Sequence, residues 1–420
     1  MVFSTSGSLS SAGGVEMTSV PPHVPADLVL HYDFRQDAAL RTDPWGWMER
    51  LNDGPDIFWS PDLGGYWVVA RGPYIEEVFA RSDLFSVKSL AIPKQPNAPK
   101  LIPNNLEPPE HGKYRKILSQ QMFSPRALGV MQEECRQLVR GLIEGFRSQG
   151  ECEFVSAFST LVPVDMFLRM MGVSSDKRDD FLPFVNKVFR GQSAAEILSG
   201  FEEAGAYLAR WLAAELKDPE AAAQKGHMLG AMLTARVDGR ALTFDEMLSI
   251  SMMLFLGGLD TVASQTTHVF HFLATNLGHR DALVADPALI PKGIEEMLRR
   301  FGISHIGREV ACDIEFHGVT MKAGDSIVAS TPISGLDRRA FPDPLTVDFG
   351  RFSSKPSHWA FGAGPHICPG AHLARVELRV MLEEVLSALP NFRLKPDAQL
   401  EYLPGATLTV KELPLVWDTD

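Results

Sequence analysis

The decapeptide Phe361-Gly362-Ala363-Gly364-Pro365-His366-Ile367-Cys368-Pro369-Gly370 sets one thiol among glycines, just ahead of an amphipathic segment, His372 to Leu389, that stops at Pro390. A cysteine at a helix N-terminus meets free N–H groups and the positive end of the helix dipole, which favours thiolate over thiol. The neighbouring glycines let backbone pass close to a large flat object. Two chemistries could use such a loop: phosphate binding, or nucleophilic attack by the cysteine with His366 as base. The third glycine is misplaced for G-x-G-x-x-G, which counts against phosphate. An i, i+2 histidine at a turn rarely points at the thiol, which counts against the nucleophile. A second oddity is Gly257-Gly258-Leu259-Asp260-Thr261, set in the most apolar stretch of the chain. Two glycines cost a helix about 2 kcal/mol relative to alanine, and a buried carboxylate is expensive unless it is paired or does work. Either the helix kinks there, with Asp260 and Thr261 bonded to backbone, or the glycines widen a groove beside a ligand and the two polar residues handle protons.

Both clusters need long elements to hold them. Thr243-Phe244-Asp245-Glu246 is a capping box, and helical character runs from it to about Asn276, a span of roughly 51 Å at the usual rise. The stretch Met247–Leu259 contains Ser249 and Ser251 and is too short to span a membrane, so it predicts a buried core helix. Apolar residues at three- and four-residue spacing predict further helices over Gln132–Arg147 and Ala204–Leu216. Strand patterns are short: Tyr66–Ala70, Asp313–Val319, Ser326–Ser330 and Leu408–Val416. Ile92–Pro109, with six prolines, predicts a loop, either a plain surface connection or a lid. The expected class is mainly α with small peripheral β-sheets, without the βαβ alternation of a doubly wound fold.

Composition narrows the function. The 420 residues carry 52 acidic and 40 basic side chains, net charge −12, 45% apolar, which describes an enzyme-sized soluble chain and argues against a nucleic-acid surface or a polybasic membrane anchor. The four cysteines, 135, 152, 312 and 368, form no C-x-x-C. Residues 1–20 are rich in Ser and Gly, lack the features of a signal peptide and read as a disordered leader, which places the protein in the reducing cytoplasm. His268 and His271 stand at i, i+3 but want a third ligand, so core or helix surface is expected for them.

The pattern F-x-x-G-x-H-x-C-x-G resembles the haem-binding loop of the cytochrome P450 monooxygenases. Glu296-Met297-Leu298-Arg299 is similar to the family's E-x-x-R helix, and Gly257–Thr261 to its oxygen-binding helix segment. The end segments, Pro21-Pro22-His23-Val24-Pro25 and Leu413-Pro414-Leu415-Val416-Trp417-Asp418, resemble the bacterial camphor hydroxylase subfamily. The resemblance implies one P450 domain over 21–420, with a long central helix across haem b. It implies Cys368 as the axial thiolate, a soft anionic ligand that pushes electron density onto iron. His111, Arg115, Arg308 and His366 correspond to propionate contacts, and Phe361, Gly362 and Gly370 to the loop against the ring. An acidic residue that the camphor enzymes carry near Arg308 is replaced by Ile306. Thr261 corresponds to the hydroxyl that organises water at reduced oxygen, Asp260 to the group that admits protons, and Glu296 with Arg299 to a structural ion pair. Pro369 has no N–H to offer the sulfur, which predicts an unusually electron-rich thiolate.

Substrate-facing positions carried over in the same way are Leu90, Pro99, Leu101, Asn104, Met253, Leu256, Gly257, Ser304 and Thr407. They are mostly apolar, as expected of a site that binds by area burial. Pro99 stands where the camphor enzyme has an anchoring tyrosine, so an ionone-like norisoprenoid or other small terpenoid, held by Asn104, Ser304 or Thr407, is expected rather than camphor. The chain has no room for flavin or iron–sulfur domains. The resemblance therefore implies O2 as oxidant and electrons from a [2Fe–2S] ferredoxin with an NADH-dependent reductase, Arg115 and Arg375 being candidate docking cations. The alternative to an enzyme is a non-catalytic haem-thiolate binding or sensor protein, which has no use for the Asp260-Thr261 pair.

Overall fold

The computed structural model describes residues 19–95, 98–122, 124–191, 193–225, 227–352 and 357–419. Of the expected leader only Ser19 and Val20 fall within them; the rest lies outside the described residues. Helices dominate and pack around one continuous hydrophobic core, as the apolar periodicity predicts.

The capping box forms as expected: the Thr243 hydroxyl accepts from the Glu246 N–H and the Glu246 carboxylate accepts from the Thr243 N–H. The helix it starts, Phe244–Gly258, is not continuous with its successor, Asp260–Thr275. Leu259 sits between them at φ −90°, ψ −65°, and the Thr261 hydroxyl takes the Gly257 carbonyl at 2.8 Å. Two adjacent glycines supply the weakness and a threonine back-bond supplies the alternative partner, so the predicted single helix becomes two consecutive pieces. Of the most apolar 18-residue window in this pair, 72% is buried inside the protein, which makes it a core element.

One five-stranded sheet flanks the helices. Its strands are β1 (Ile57–Ser60), β2 (Tyr66–Val69), β3 (Phe85–Ser86), β4 (His305–Val310) and β5 (Ser326–Ser330), in spatial order β1-β2-β5-β4-β3. β5 pairs antiparallel with β4, Val328 opposite Gly307, and parallel with β2. Two predicted strands prove to be two pieces each. Asp313–Val319 is a hairpin, Ile314–Phe316 with Val319–Met321, turned by His317 and Gly318 at φ 50° and 82°. Leu408–Val416 divides into Thr409–Val410, paired with Tyr402–Leu403, and Pro414–Val416, paired with Glu151–Glu153. Adjacent residues there serve different sheets, which alternation alone does not reveal.

The predicted helices are longer than their apolar cores suggested, Pro125–Phe146 and Ala194–Glu215. The helix after the cysteine spans Ala371–Ala388 and packs on both Pro125–Phe146 and Ile290–Arg300. Ile290–Arg300 carries Glu296 and Arg299, both fully buried and joined by two bonds, Nε to Oε2 at 2.9 Å and Nη2 to Oε1 at 2.7 Å. Arg299 also donates to the carbonyls of Gly335, Pro344 and Thr346, and Arg351 donates to Glu296 at 2.9 Å. Three bonds of this arginine thus fasten residues 335–346, and two hold the glutamate on its own helix.

Candidate active site

The cysteine loop is built by its own backbone. The Cys368 N–H donates to the Phe361 carbonyl at 2.9 Å and the Gly362 N–H to Trp359 at 2.8 Å, closing a tight arch over a short helical turn, Gly364–His366. Gly362 and Gly364 adopt φ 72° and 68°. At Gly364 a Cβ would lie 2.5 Å from the Ala80 Cα, so this glycine is required by the neighbouring helix Gly72–Ala80, not by a ligand. Burial pushes the Cys368 thiol up, opposed by the Gly370 N–H and the charges of Arg115 and Arg375. The expected helix-dipole stabilisation of the thiolate is therefore outweighed by desolvation in the protein alone. Pro369 withholds its amide from the sulfur, and the Gly370 N–H one residue later is directed at it.

Cys368 opens into a cavity of about 310 Å3. Of the residues predicted for cofactor and catalysis, Phe361, Gly362, His366, Gly370, Arg308 and Thr261 share its wall. Gly257 and Gly258 do too, and a Cβ on either would meet nothing within 4 Å, so the pair leaves open space where any other residue would fill it. His111 reaches the site through His366, their rings 4.1 Å apart. Arg115 is half-buried and bears on Cys368 electrostatically.

These basic groups are the fit test for an anionic cofactor. Arg308 is 4% exposed and His111 likewise. Arg308 donates to the Gly307 carbonyl at 2.9 Å, and among the described residues neither Arg115 nor Arg308 has a carboxylate within ion-pair distance. Burial, with no such partner, lowers the Arg308 guanidinium to about 10; burial and the nearby positive charges hold His366 at about 3. The Nε2 of His366 is buried without a partner. A buried and a half-buried guanidinium with an orphaned imidazole nitrogen around an apolar cavity suit a planar apolar group with carboxylates on its edge, and a cysteine in its wall suits that group's metal. The residues present fit haem b.

Asp260 does not face this cavity. It is buried on the far side of the helix break, its Oδ1 3.4 Å from Arg190 Nη1, beside Thr160 and Val164. Burial raises its pKa, with Arg190 opposing. The helix break therefore puts neighbours Asp260 and Thr261 on different sides of the wall, a buried acid behind and a hydroxyl in front.

Of the carried-over substrate positions, Leu90, Asn104, Met253, Gly257 and Ser304 line the cavity; Pro99, Leu101, Leu256 and Thr407 do not. The proline-rich loop presents Asn104 inward while Leu101 is held by Asn105, whose Oδ1 accepts its N–H at 3.0 Å. Leu256 points off the face shared by Met253 and Gly257, and Thr407 backs the wall by pairing with Ser304. Arg375 is engaged by Glu295 at 2.5 and 2.9 Å and stacks over Phe361, so it is not a free docking cation. His268 is a core histidine whose Nε2 meets the Leu408 carbonyl at 2.9 Å.

Two polar wall residues escaped sequence reasoning. Gln265 lies one turn beyond Thr261, and Glu377 lies on the helix after the cysteine. An acid on the apolar stripe of an amphipathic helix was the available signal for Glu377. Burial raises its pKa to about 8. An unfolded glutamate ionises near 4.3, so between these values the unfolded chain sheds a proton that the folded one keeps. Stability is then lost as pH rises from about 4.5 to 8. Glu377→Gln is expected to flatten this slope and to gain on the order of 3 kcal/mol at pH 7, read from denaturant midpoints of both proteins at pH 5, 7 and 9; parallel curves contradict the assignment.

Comparison with known proteins agrees with this geometry. The family model described as Cytochrome P450 matches residues 65–414. A curated relative named probable cytochrome P450 127A1, from Sinorhizobium fredii, is 29% identical over 96% of this chain and 98% of its own length. The vitamin D3 dihydroxylase of Streptomyces griseolus is 31% identical over 74% of this chain and 76% of its own. The crystal structure of CYP101J2 superposes with a TM-score of 0.87 at 33% identity, covering 96% of this chain and all of that one, and CYP101C1 gives the same score at 30%. A thiol, buried cations and a glycine-widened helix meet in one cavity, within a fold shared over nearly the whole length, because the chain belongs to the cytochrome P450 family: it is a haem b monooxygenase that uses O2 and electrons from a redox partner.

Proposed function

We propose that this protein, one P450 domain over 21–420, hydroxylates a small apolar terpenoid or norisoprenoid in the cytoplasm, with electrons delivered by a [2Fe–2S] ferredoxin and its NADH-dependent reductase. The observation that carries the reading is the single cavity into which Cys368, Thr261 and an apolar wall all open. Haem b, when bound, supplies reductive activation of O2 and the oxidant. Cys368 would ligate its iron from the loop. Arg115, Arg308, His111 and His366 would hold its propionates, and Phe361, Gly362 and Gly370 would lie against the ring.

The wall from Leu90, Met253, Phe167 and Ile303 excludes water and binds by area, while Asn104 and Ser304 supply the few polar contacts that orient a carbonyl or hydroxyl. The Thr261 hydroxyl spends its proton on the Gly257 carbonyl and so offers its oxygen to the cavity as an acceptor, and Asp260 behind it, paired with Arg190, would take a proton from solvent and pass it forward. Ferric protein titrated with α- and β-ionone is expected to show a low-to-high-spin Soret shift at micromolar ligand; a shift with camphor and none with ionones overturns the substrate reading.

Thr261→Ala is expected to bind substrate as the wild type does and to oxidise NADH, while product per NADH falls at least about tenfold and hydrogen peroxide accounts for the difference. Thr261→Ser restores coupling. Intact coupling in the alanine variant contradicts a proton-handling role.

A further inference from the structure

The two serines in the apolar helix Phe244–Gly258 are used differently. Ser251 returns its proton to its own helix, bonding the Met247 carbonyl at 2.8 Å. Ser249 reaches outward. Its hydroxyl donates to the Lys100 carbonyl at 2.8 Å and accepts the Ile102 N–H at 2.9 Å, so that one side chain brackets Leu101 on the proline-rich loop.

The loop's other ties run elsewhere. The Leu90 carbonyl accepts from Gly307 on β4, Lys94 pairs with Glu309 at 2.7 Å, and Asn105 donates to Val87 at 2.9 Å. These bonds anchor the loop's two flanks to the sheet side. Among the described residues, the hydrogen bonds that hold its middle down on the central helix are those of Ser249. Asn104, two residues past Ile102, and Met253, one turn past Ser249, both line the cavity. The clamp therefore sits at the seam between loop and helix, where the cavity wall is made by both.

We propose that Ser249 is the latch of a lid formed by residues 98–105, and that breaking it governs passage of substrate into and out of the cavity. Ser249 touches neither cofactor nor substrate; it is a positioning residue. This inference rests on the monooxygenase cavity described above. A latch that is closed in both the free and the occupied protein slows entry and exit alike. Two hydrogen bonds of ordinary net strength, lost together, favour the open lid by roughly tenfold or more. Alanine at an interior helix position keeps the helix, so the variant reports on the latch and not on folding.

The test is stopped-flow binding of 4-phenylimidazole, a bulky iron ligand, to the ferric haem-loaded protein, read by its Soret change. Ser249→Ala is expected to raise association and dissociation rates together by about tenfold with little change in Kd, and Ser249→Thr, which keeps the hydroxyl, to return both rates toward wild type. Unchanged rates in Ser249→Ala, with normal amplitude, overturn the latch and leave the cavity reading standing. Absence of any Soret response in the wild type overturns the cavity reading itself.

Discussion

Replacing Cys368 by alanine abolishes monooxygenase turnover completely and leaves a protein that holds haem weakly, if the sulfur is the one bond joining chain to iron. Among the described residues of the cavity wall Cys368 is the one thiol, and His366 is turned toward His111. Arg115 and Arg308 still attract the propionates, so residual haem binding is expected, with a changed Soret spectrum and easy transfer of haem to apomyoglobin. The thiol is unfavourable as an anion when buried alone, and ligation is what makes the thiolate worth its desolvation. The alanine variant should therefore be no less stable than wild type in the haem-free state. A variant that keeps wild-type spectrum and turnover contradicts the assignment.

Arg299→Ala carries the second large effect, on stability. It strands Glu296 in a site with no exposure and removes the donors to three carbonyls of the 335–346 segment. Removing one partner of a buried pair typically costs about 3–5 kcal/mol, a large part of the roughly 5–15 kcal/mol that holds a protein folded. Arg351 remains to compensate Glu296, so the lower half of that range is expected. Arg299→Lys keeps the charge and loses the fork, and falls between. Urea midpoints measure the loss; a change under about 1 kcal/mol for the alanine variant contradicts the anchoring role.

The sequence made the chemistry more legible than the geometry around it. Cys368 and Thr261 were identifiable because a lone thiol at a helix start and a hydroxyl after two glycines are each costly to place without a use, whereas Arg308 was reached only through the family resemblance of its segment. The capping box and the Glu296–Arg299 pair were legible because both are local, three residues apart along a helix. Contacts made across the fold were not. Nothing near Leu101 says that Asn105 and Ser249 will hold its backbone and turn Asn104 inward instead. Likewise, Thr407 joins the wall only by pairing with Ser304, about a hundred residues upstream. Strand β4 was missed because Ser304-His305-Ile306-Gly307-Arg308 lacks clean alternation, its two faces meeting the cavity on one side and the sheet's aromatic core on the other.

The account stands on thiolate ligation of haem iron within this fold, and one spectrum addresses it. Wild-type protein, purified with haem, reduced with dithionite and exposed to carbon monoxide, is predicted to show a Soret band displaced far to the red of ordinary haem proteins, the signature of an anionic sulfur opposite the gas. A carbon-monoxide band at the position given by imidazole-ligated haem contradicts the central claim.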